Sequence, residues 1–194
     1  MTSPVIKNTK ALIAHLAAGN SAKYVFFWDH RENGGQITKA CFSQWYPAPF
    51  CVDDKIFPTA EHFMMAEKAR LFGDTEKMAL ILAAKEPGKA KAIGREVLNF
   101  DQSIWDMHKF GIVVRGNLEK FRQNPDLCEF LRNTGNRVLV EVSPVDSIWG
   151  IGLAADDPQR VDPKAWKGEN LLGFALMEVR HVLNKTQTRA GSTY

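Results

Sequence analysis

From Pro58 to about residue 133 the chain leaves almost no room for a β-strand. Apolar residues recur there at three- and four-residue spacing, and the interruptions fall at Gly73, Pro87, Asp101 and Pro125, residue types that start or stop helices. The spacing predicts helices over 59–72, 74–84, 87–98, 101–123 and 126–133. So long a helical middle, with strands mostly at its flanks, favours a mainly helical α+β domain over an alternating βαβ order, which needs a strand between successive helices. Strand-prone residues are left to the flanks: Tyr24 to Trp28, weaker runs around Ile37 to Phe42 and Cys51 to Ile56 separated by Pro47 and Pro49, and the alternating Val138 to Val142. One further helix is expected before Gly19-Asn20, where Leu12, Ile13, Leu16 and Ala17 share helical spacing. After a polar loop at 154–165, a strongly apolar helix is expected from Asn170 to about Leu183. The expected fold class is α+β, a single mainly helical domain with a few short strands.

Composition bounds the function classes. With 194 residues, 45% hydrophobic and 24% charged, the chain is neither disordered nor fibrous. Residues 1–20 are expected to be a helical extension, 21–184 the domain, and 185–194 a polar disordered tail. A net charge of +3 is too small to announce nucleic-acid binding by itself. Cys41, Cys51 and Cys128 are odd in number and lack Cys-x-x-Cys spacing, which argues for a reducing compartment. No apolar run reaches membrane-spanning length and residues 1–10 lack a signal-like apolar core, so the expected location is cytoplasmic, or nuclear in a eukaryote, with no membrane partner.

Three segments offer chemistry. In Phe57 to Ala69, Thr59 is placed to cap a helix and Glu61 falls in its first turn, where the dipole favours a carboxylate. Glu61, Met65 and Lys68 then share a face, with Glu61 and Lys68 about 10 Å apart along the axis. Two readings stand: an amphipathic helix with a solvated Lys68, or one pocket wall carrying a proton-moving carboxylate and a desolvated nucleophilic amine. Glu61-His62 lacks the second histidine of a zinc motif. In Glu141 to Leu153, a strand leads through Pro144 to Asp146, Trp149, Gly150 and Gly152. Trp149 is either a stacking face for a base or ordinary core, and Asp146 either reacts or caps a turn. In Trp166 to Gly173, Asn170 could cap the last helix and leave its N–H groups for a phosphate, while Gly173 signals close packing.

The basic run Lys85 to Arg95 lacks the spacing of a P-loop and reads as a solvated helix face, Arg95 being the member expected to point inward. His62 and His108 stand alone and read as structural.

Taken in order, Phe57 to Ala69, Lys91-Ala92-Ile93-Gly94-Arg95, Leu118-Glu119-Lys120-Phe121, Glu141 to Leu153 and Trp166 to Arg180 resemble the NADAR superfamily, also called YbiA-like. The resemblance runs from about Phe26 to Arg180, so it makes 21–184 a NADAR-like catalytic domain. It implies hydrolysis of N-glycosidic bonds, either in ribosylaminopyrimidine intermediates of riboflavin synthesis or in ADP-ribosylated guanine of nucleic acid or nucleotide. It matches the family's Glu-His to Glu61-His62, its helix lysine to Lys68, its Asp-x-x-Trp-Gly to Asp146, Trp149 and Gly150, and its Asn-Leu-Leu-Gly to Asn170 through Gly173. The chain departs from the family at Ser43-Gln44-Trp45, where many members have Ser-Asn-Phe, and at Met65 and Glu67, where many have glutamine.

By that resemblance Lys68, Glu61 and Asp146 are the expected catalytic residues. Trp149, Gly150, Trp45, Phe42, Ser43, Arg95, Asn170 and Gly173 are the expected substrate contacts. Glu61 or Asp146 would assist departure of the nitrogen, and Lys68 would attack the sugar C1 and form a Schiff base. In the alternative, water attacks an oxocarbenium-like centre directly. Neither route calls for a metal or redox cofactor. A module that binds ADP-ribose or NAD without turnover is the rival function class.

Overall fold

The computed structural model describes residues 6–31 and 34–190. Its elements in chain order are α1 (Thr9–Ala17), β1 (Tyr24–Phe27), β2 (Phe50–Val52), β3 (Lys55–Phe57), α2 (Ala60–Leu71), α3 (Thr75–Ala83), α4 (Pro87–Arg95), α5 (Gln102–Gln123), α6 (Pro125–Arg132), β4 (Val138–Glu141) and α7 (Leu171–Ala190). The class is α+β and mainly helical, as the sequence predicts.

Local chemistry sets the helix starts. The side chains of Thr59, Asp74 and Asp101 accept N–H groups in the first turns of α2, α3 and α5, and Pro87 and Pro125 open α4 and α6, where a missing N–H costs nothing. α2 is the axis of the molecule, packed by α3, α4 and α5. Every residue from Ala60 to Glu67 is buried, so α2 is not amphipathic and each of its polar groups needs a partner inside the protein. His62 lies between the Thr59 hydroxyl at 2.8 Å and the Ala84 carbonyl at 3.1 Å, a structural role as expected. Glu67 accepts a forked pair of bonds from Arg70.

β1 pairs with β4 in parallel, in register from Tyr24–Val138 to Phe27–Glu141, although the whole helical middle separates them in sequence. Their C-terminal ends therefore emerge side by side. α7 packs on β4 so closely that a Cβ on Gly173 would collide with the Leu139 carbonyl oxygen.

Three expectations are corrected. Ile37 to Phe42 does not form a strand; Lys39–Phe42 is a 3₁₀ turn capped by Thr38. The cause lies on α5, where the buried Lys120 ammonium donates to the Cys41 carbonyl at 2.7 Å and the Ser43 carbonyl at 2.9 Å and so claims acceptors that a sheet ladder would use. Cys51 to Ile56 is not one strand but the hairpin β2–β3, turned at Asp53 (φ 49°) and Asp54 (φ 59°), a geometry that short Asp side chains tolerate. The last helix does not stop near Leu183: residues 185–190 of the expected tail are helical, and 191–194 lie outside the described residues, as do residues 1–5 of the expected extension.

Candidate active site

A cleft of about 890 Å³ opens where β1 and β4 end. β1 delivers Trp28 to Arg31, β4 delivers Glu141 and the loop from Ser143 to Trp149, and Trp105 comes from α5. Lys91 and Arg95, four residues apart on one face of α4, close one side, while Ser43 and Trp45 of the Lys120-tethered segment close another.

Glu61 sits against this cleft at 2% exposure. Its backbone N–H donates to the Gln44 carbonyl at 2.9 Å, and the Trp45 indole N–H donates to its carboxyl. The Oε1 atom is buried with no hydrogen-bond partner. Burial lifts this carboxyl to about 7; Lys91 and the Trp45 bond oppose the rise, Asp146 adds to it and Arg95 opposes it.

Glu141, the last residue of β4, has a buried and unpartnered Oε2. Burial raises it to about 8, with Asp146 adding to the rise, Lys91 opposing it and Glu61 adding to it. Around Lys91 the site therefore groups three carboxyl groups, two of them tuned to hold a proton near neutrality. Asp146 accepts the Ile148 and Trp149 N–H groups at 3.0 and 2.8 Å on Oδ1, so it does cap a turn while also lining the cleft.

Of the expected site residues, Ser43, Trp45, Arg95, Asp146 and Trp149 line the cleft, and Glu61 reaches it through Trp45. Lys68 does not line it. Its ammonium donates to the Gly94 carbonyl at 2.8 Å and lies 4.2 Å over the Phe100 ring and 5.8 Å from that of Trp105. Burial, with Arg95 beside it, holds this amine below the usual lysine range.

Four expected substrate contacts stand elsewhere. Phe42 is fully buried among Phe27, Phe121 and Phe130 and offers no face to a ligand. Gly150 is needed by its own loop: a Cβ there would stand 3.0 Å from the Asp146 and Glu141 carbonyl oxygens. Asn170 is fully buried at φ 56°, its Nδ2 donating to the Leu139 carbonyl at 2.9 Å and its Oδ1 accepting the Glu141 N–H at 3.0 Å. Gly173 makes room for that arrangement. Nor is the start of α7 a phosphate cradle, because the N–H groups of Glu169, Asn170, Leu171 and Leu172 donate to carbonyls of the 147–150 loop.

Trp28, Arg31, Trp105, Glu141 and Lys91 line the cleft without being among the residues the sequence marks. The i, i+4 spacing to Arg95 was a usable sign for Lys91. Glu141 carried none, because only the pairing of β4 with distant β1 makes it the rim of a cleft.

The model of the NADAR domain matches residues 26–184. The chain belongs to the NADAR family. It is 47% identical over 163 residues, 81% of this chain and 95% of the relative, to N-glycosidase R617 of Acanthamoeba polyphaga mimivirus. It is 31% identical over 142 residues, 73% of this chain and 80% of the relative, to N-glycosidase YbiA of Escherichia coli (strain K12). The NMR structure of the E. coli protein YbiA shares the fold at a TM-score of 0.70, with 27% identity over 87% of this chain and 89% of that one. A more distant relative, riboflavin biosynthesis protein VVA0006 of Vibrio vulnificus (strain YJ016), is 29% identical over 164 residues, 83% of this chain but 39% of that longer protein. In NADAR terms the Glu-His, Asp-x-x-Trp-Gly and Asn-Leu-Leu-Gly elements divide here into cleft groups, Glu61, Asp146 and Trp149, and supports beneath them, His62, Asn170 and Gly173.

Proposed function

We propose that this cleft removes ADP-ribose from ADP-ribosylated guanine, in nucleic acid or nucleotide, by hydrolysing the bond between ribose C1 and the base nitrogen. The coarse activity follows from kinship: the chain is an enzyme, a hydrolase of N-glycosyl bonds, like the relatives named N-glycosidases. The observation that carries the chemistry is the pair of buried carboxyls, Glu61 near 7 and Glu141 near 8, each with an oxygen lacking a partner.

A departing base nitrogen must take up a proton as the C1–N bond breaks, and a carboxyl protonated at neutral pH supplies it. Glu141, which lines the cleft, gives that proton; Glu61, behind Trp45, replenishes or shares it. Asp146 stabilises the positive charge that develops at C1, water adds there, and a carboxylate takes its proton.

Cleft volume and composition support the larger substrate. About 890 Å³ lies at the upper end of small-ligand sites, Trp28, Trp45 and Trp149 offer stacking faces, and Arg31, Lys91 and Arg95 can meet a diphosphate. A ribosylaminopyrimidine is the second reading, favoured by the VVA0006 relative. For the covalent route, the lowered pKa of Lys68 favours a neutral amine able to form a Schiff base at C1, once it leaves the Gly94 carbonyl.

A side-by-side assay on an ADP-ribosylated guanine oligonucleotide and on the ribosylaminopyrimidine tests the substrate. Faster release of guanine-bearing product is expected, and turnover of the pyrimidine alone would overturn it. Borohydride with substrate traps a Lys68 adduct if the Schiff base forms; near-normal turnover in Lys68→Ala would exclude that route.

A further inference from the structure

The strand pair that ends in the active site begins in a second pocket. Residues preceding β1 (Ser21 to Lys23) and β4 (Gly135 and Asn136) face α1 and α7 across a cavity of about 390 Å³. It lies one strand length from the catalytic cleft, four residues or about 13 Å. Four basic side chains converge on it from three places: His15 on α1, Lys23 before β1, and Arg180 and His181 on α7. No Asp or Glu lines it among the described residues.

Arg180 is the telling group. Its residue is 6% exposed, yet among the described residues its guanidinium forms no ion pair. Nη1 donates to the Thr134 hydroxyl at 2.5 Å, a neutral acceptor that leaves the charge uncompensated. Burial, with Arg137 nearby, pushes this guanidinium down to about 10, the direction expected when no anion stabilises the charge. A buried cation without a counter-charge is costly, and the usual remedy is an anion. Ile6, Val138 and Met177 line the same cavity and give it an apolar component.

We propose that this pocket is a second ligand site whose ligand is a phosphate monoester carrying a small apolar body. A phosphate has enough oxygens for the guanidinium fork, the ammonium and an imidazole together, whereas a carboxylate has two. The volume admits a phosphate and one ring and excludes a whole ADP-ribose. The site does not depend on what the catalytic cleft hydrolyses.

The test is an NMR titration of the full chain at constant ionic strength, with inorganic phosphate and with phenyl phosphate as probes. Saturable amide shifts are expected at Gly135, Asn136 and His181, with phenyl phosphate binding the tighter of the two. Arg180 is too buried to replace safely, so the double variant Lys23→Ala with His181→Ala is used, and it weakens binding at least tenfold. Lys91→Ala with Arg95→Ala, which strips the cations from the catalytic cleft, leaves these shifts unchanged. Absence of saturable shifts at those amides, their persistence in the Lys23/His181 variant, or their loss in the Lys91/Arg95 variant would each overturn the site. Equal affinity for the two probes would overturn its apolar component.

Discussion

The two ends of the β1–β4 pair share a backbone and differ in charge. At the C-terminal end, Lys91 and Arg95 face Glu61, Glu141 and Asp146, and four indoles line the walls. At the N-terminal end, Lys23 and Arg180 face no carboxylate among the described residues. Cations alone make a place to bind. Cations mixed with buried carboxyls make a place where protons are still held at neutral pH and can be passed to a substrate. The proposed reactivity at one end therefore rests on burial acting on the carboxyls rather than on the strand frame.

The sharpest way to break that contrast is to remove the protons. Glu141→Gln keeps the shape and deletes the titration, so kcat falls by about 10²- to 10⁴-fold, the usual worth of a general acid. Steady-state turnover of the preferred substrate, with product affinity measured in parallel, checks it. Turnover within a few-fold of wild type would transfer the acid role to Glu61, and Glu61→Gln would then show the loss.

A second variant strikes the frame that both ends share. Gly173→Ala drives a methyl group into the Leu139 carbonyl and the Asn170 side chain, neither of which is a flexible chain end. A loss of about 3 kcal/mol in urea unfolding is expected, at the upper end for overpacking. Because Asn170 also holds the Glu141 N–H, residual activity falls more than stability alone explains. Unchanged unfolding would show that α7 can lift from β4.

Much of this frame was legible in the sequence. The helical middle, its stops at Gly73, Pro87, Asp101 and Pro125, and the strands at Tyr24 and Val138 follow from local chemistry that one segment carries by itself. Thr59, Glu61, Asp146 and Trp149 were legible because motif order marked them. What was hidden depends on contacts between distant segments. Lys120 turns 39–42 into a 3₁₀ turn from α5, and Asn170 reads as a cap until β4 is seen beside it. Phe42 reads as a substrate contact because, in sequence, an aromatic looks the same whether it faces a ligand or Phe27. Glu141 reads as a strand end until β1 pairs with it and buries its carboxyl.

The carboxyl end also leaves a signature in stability against pH. Glu61 and Glu141 rise from an ordinary 4.5 to about 7 and about 8, so the folded chain holds these protons more tightly than the unfolded one. Their contribution is complete below about pH 4.5 and is lost as pH rises through about 7 and 8. The urea midpoint should therefore fall between about pH 5 and 9, and Glu141→Gln should flatten the fall and exceed wild type at the alkaline end. A wild-type midpoint rising over that range would contradict the protonated pair.

The smallest effect sharpens the same contrast from the rim. Arg31 lies in the cleft mouth, clasping Asp29 at 2.6 Å, but its side chain is 82% exposed. That bond and the Arg31 charge hold the Asp29 carboxyl down at about 2. An exposed pair of this kind adds little to folding, so Arg31→Ala should unfold with wild type within error. If the rim cation meets an anionic substrate, KM rises a few-fold, kcat stays, and the change shrinks as salt is added. A fall in kcat with KM unchanged would instead place Arg31 with the carboxyls at the reacting centre, and the division between a binding rim and a proton-holding interior would no longer hold.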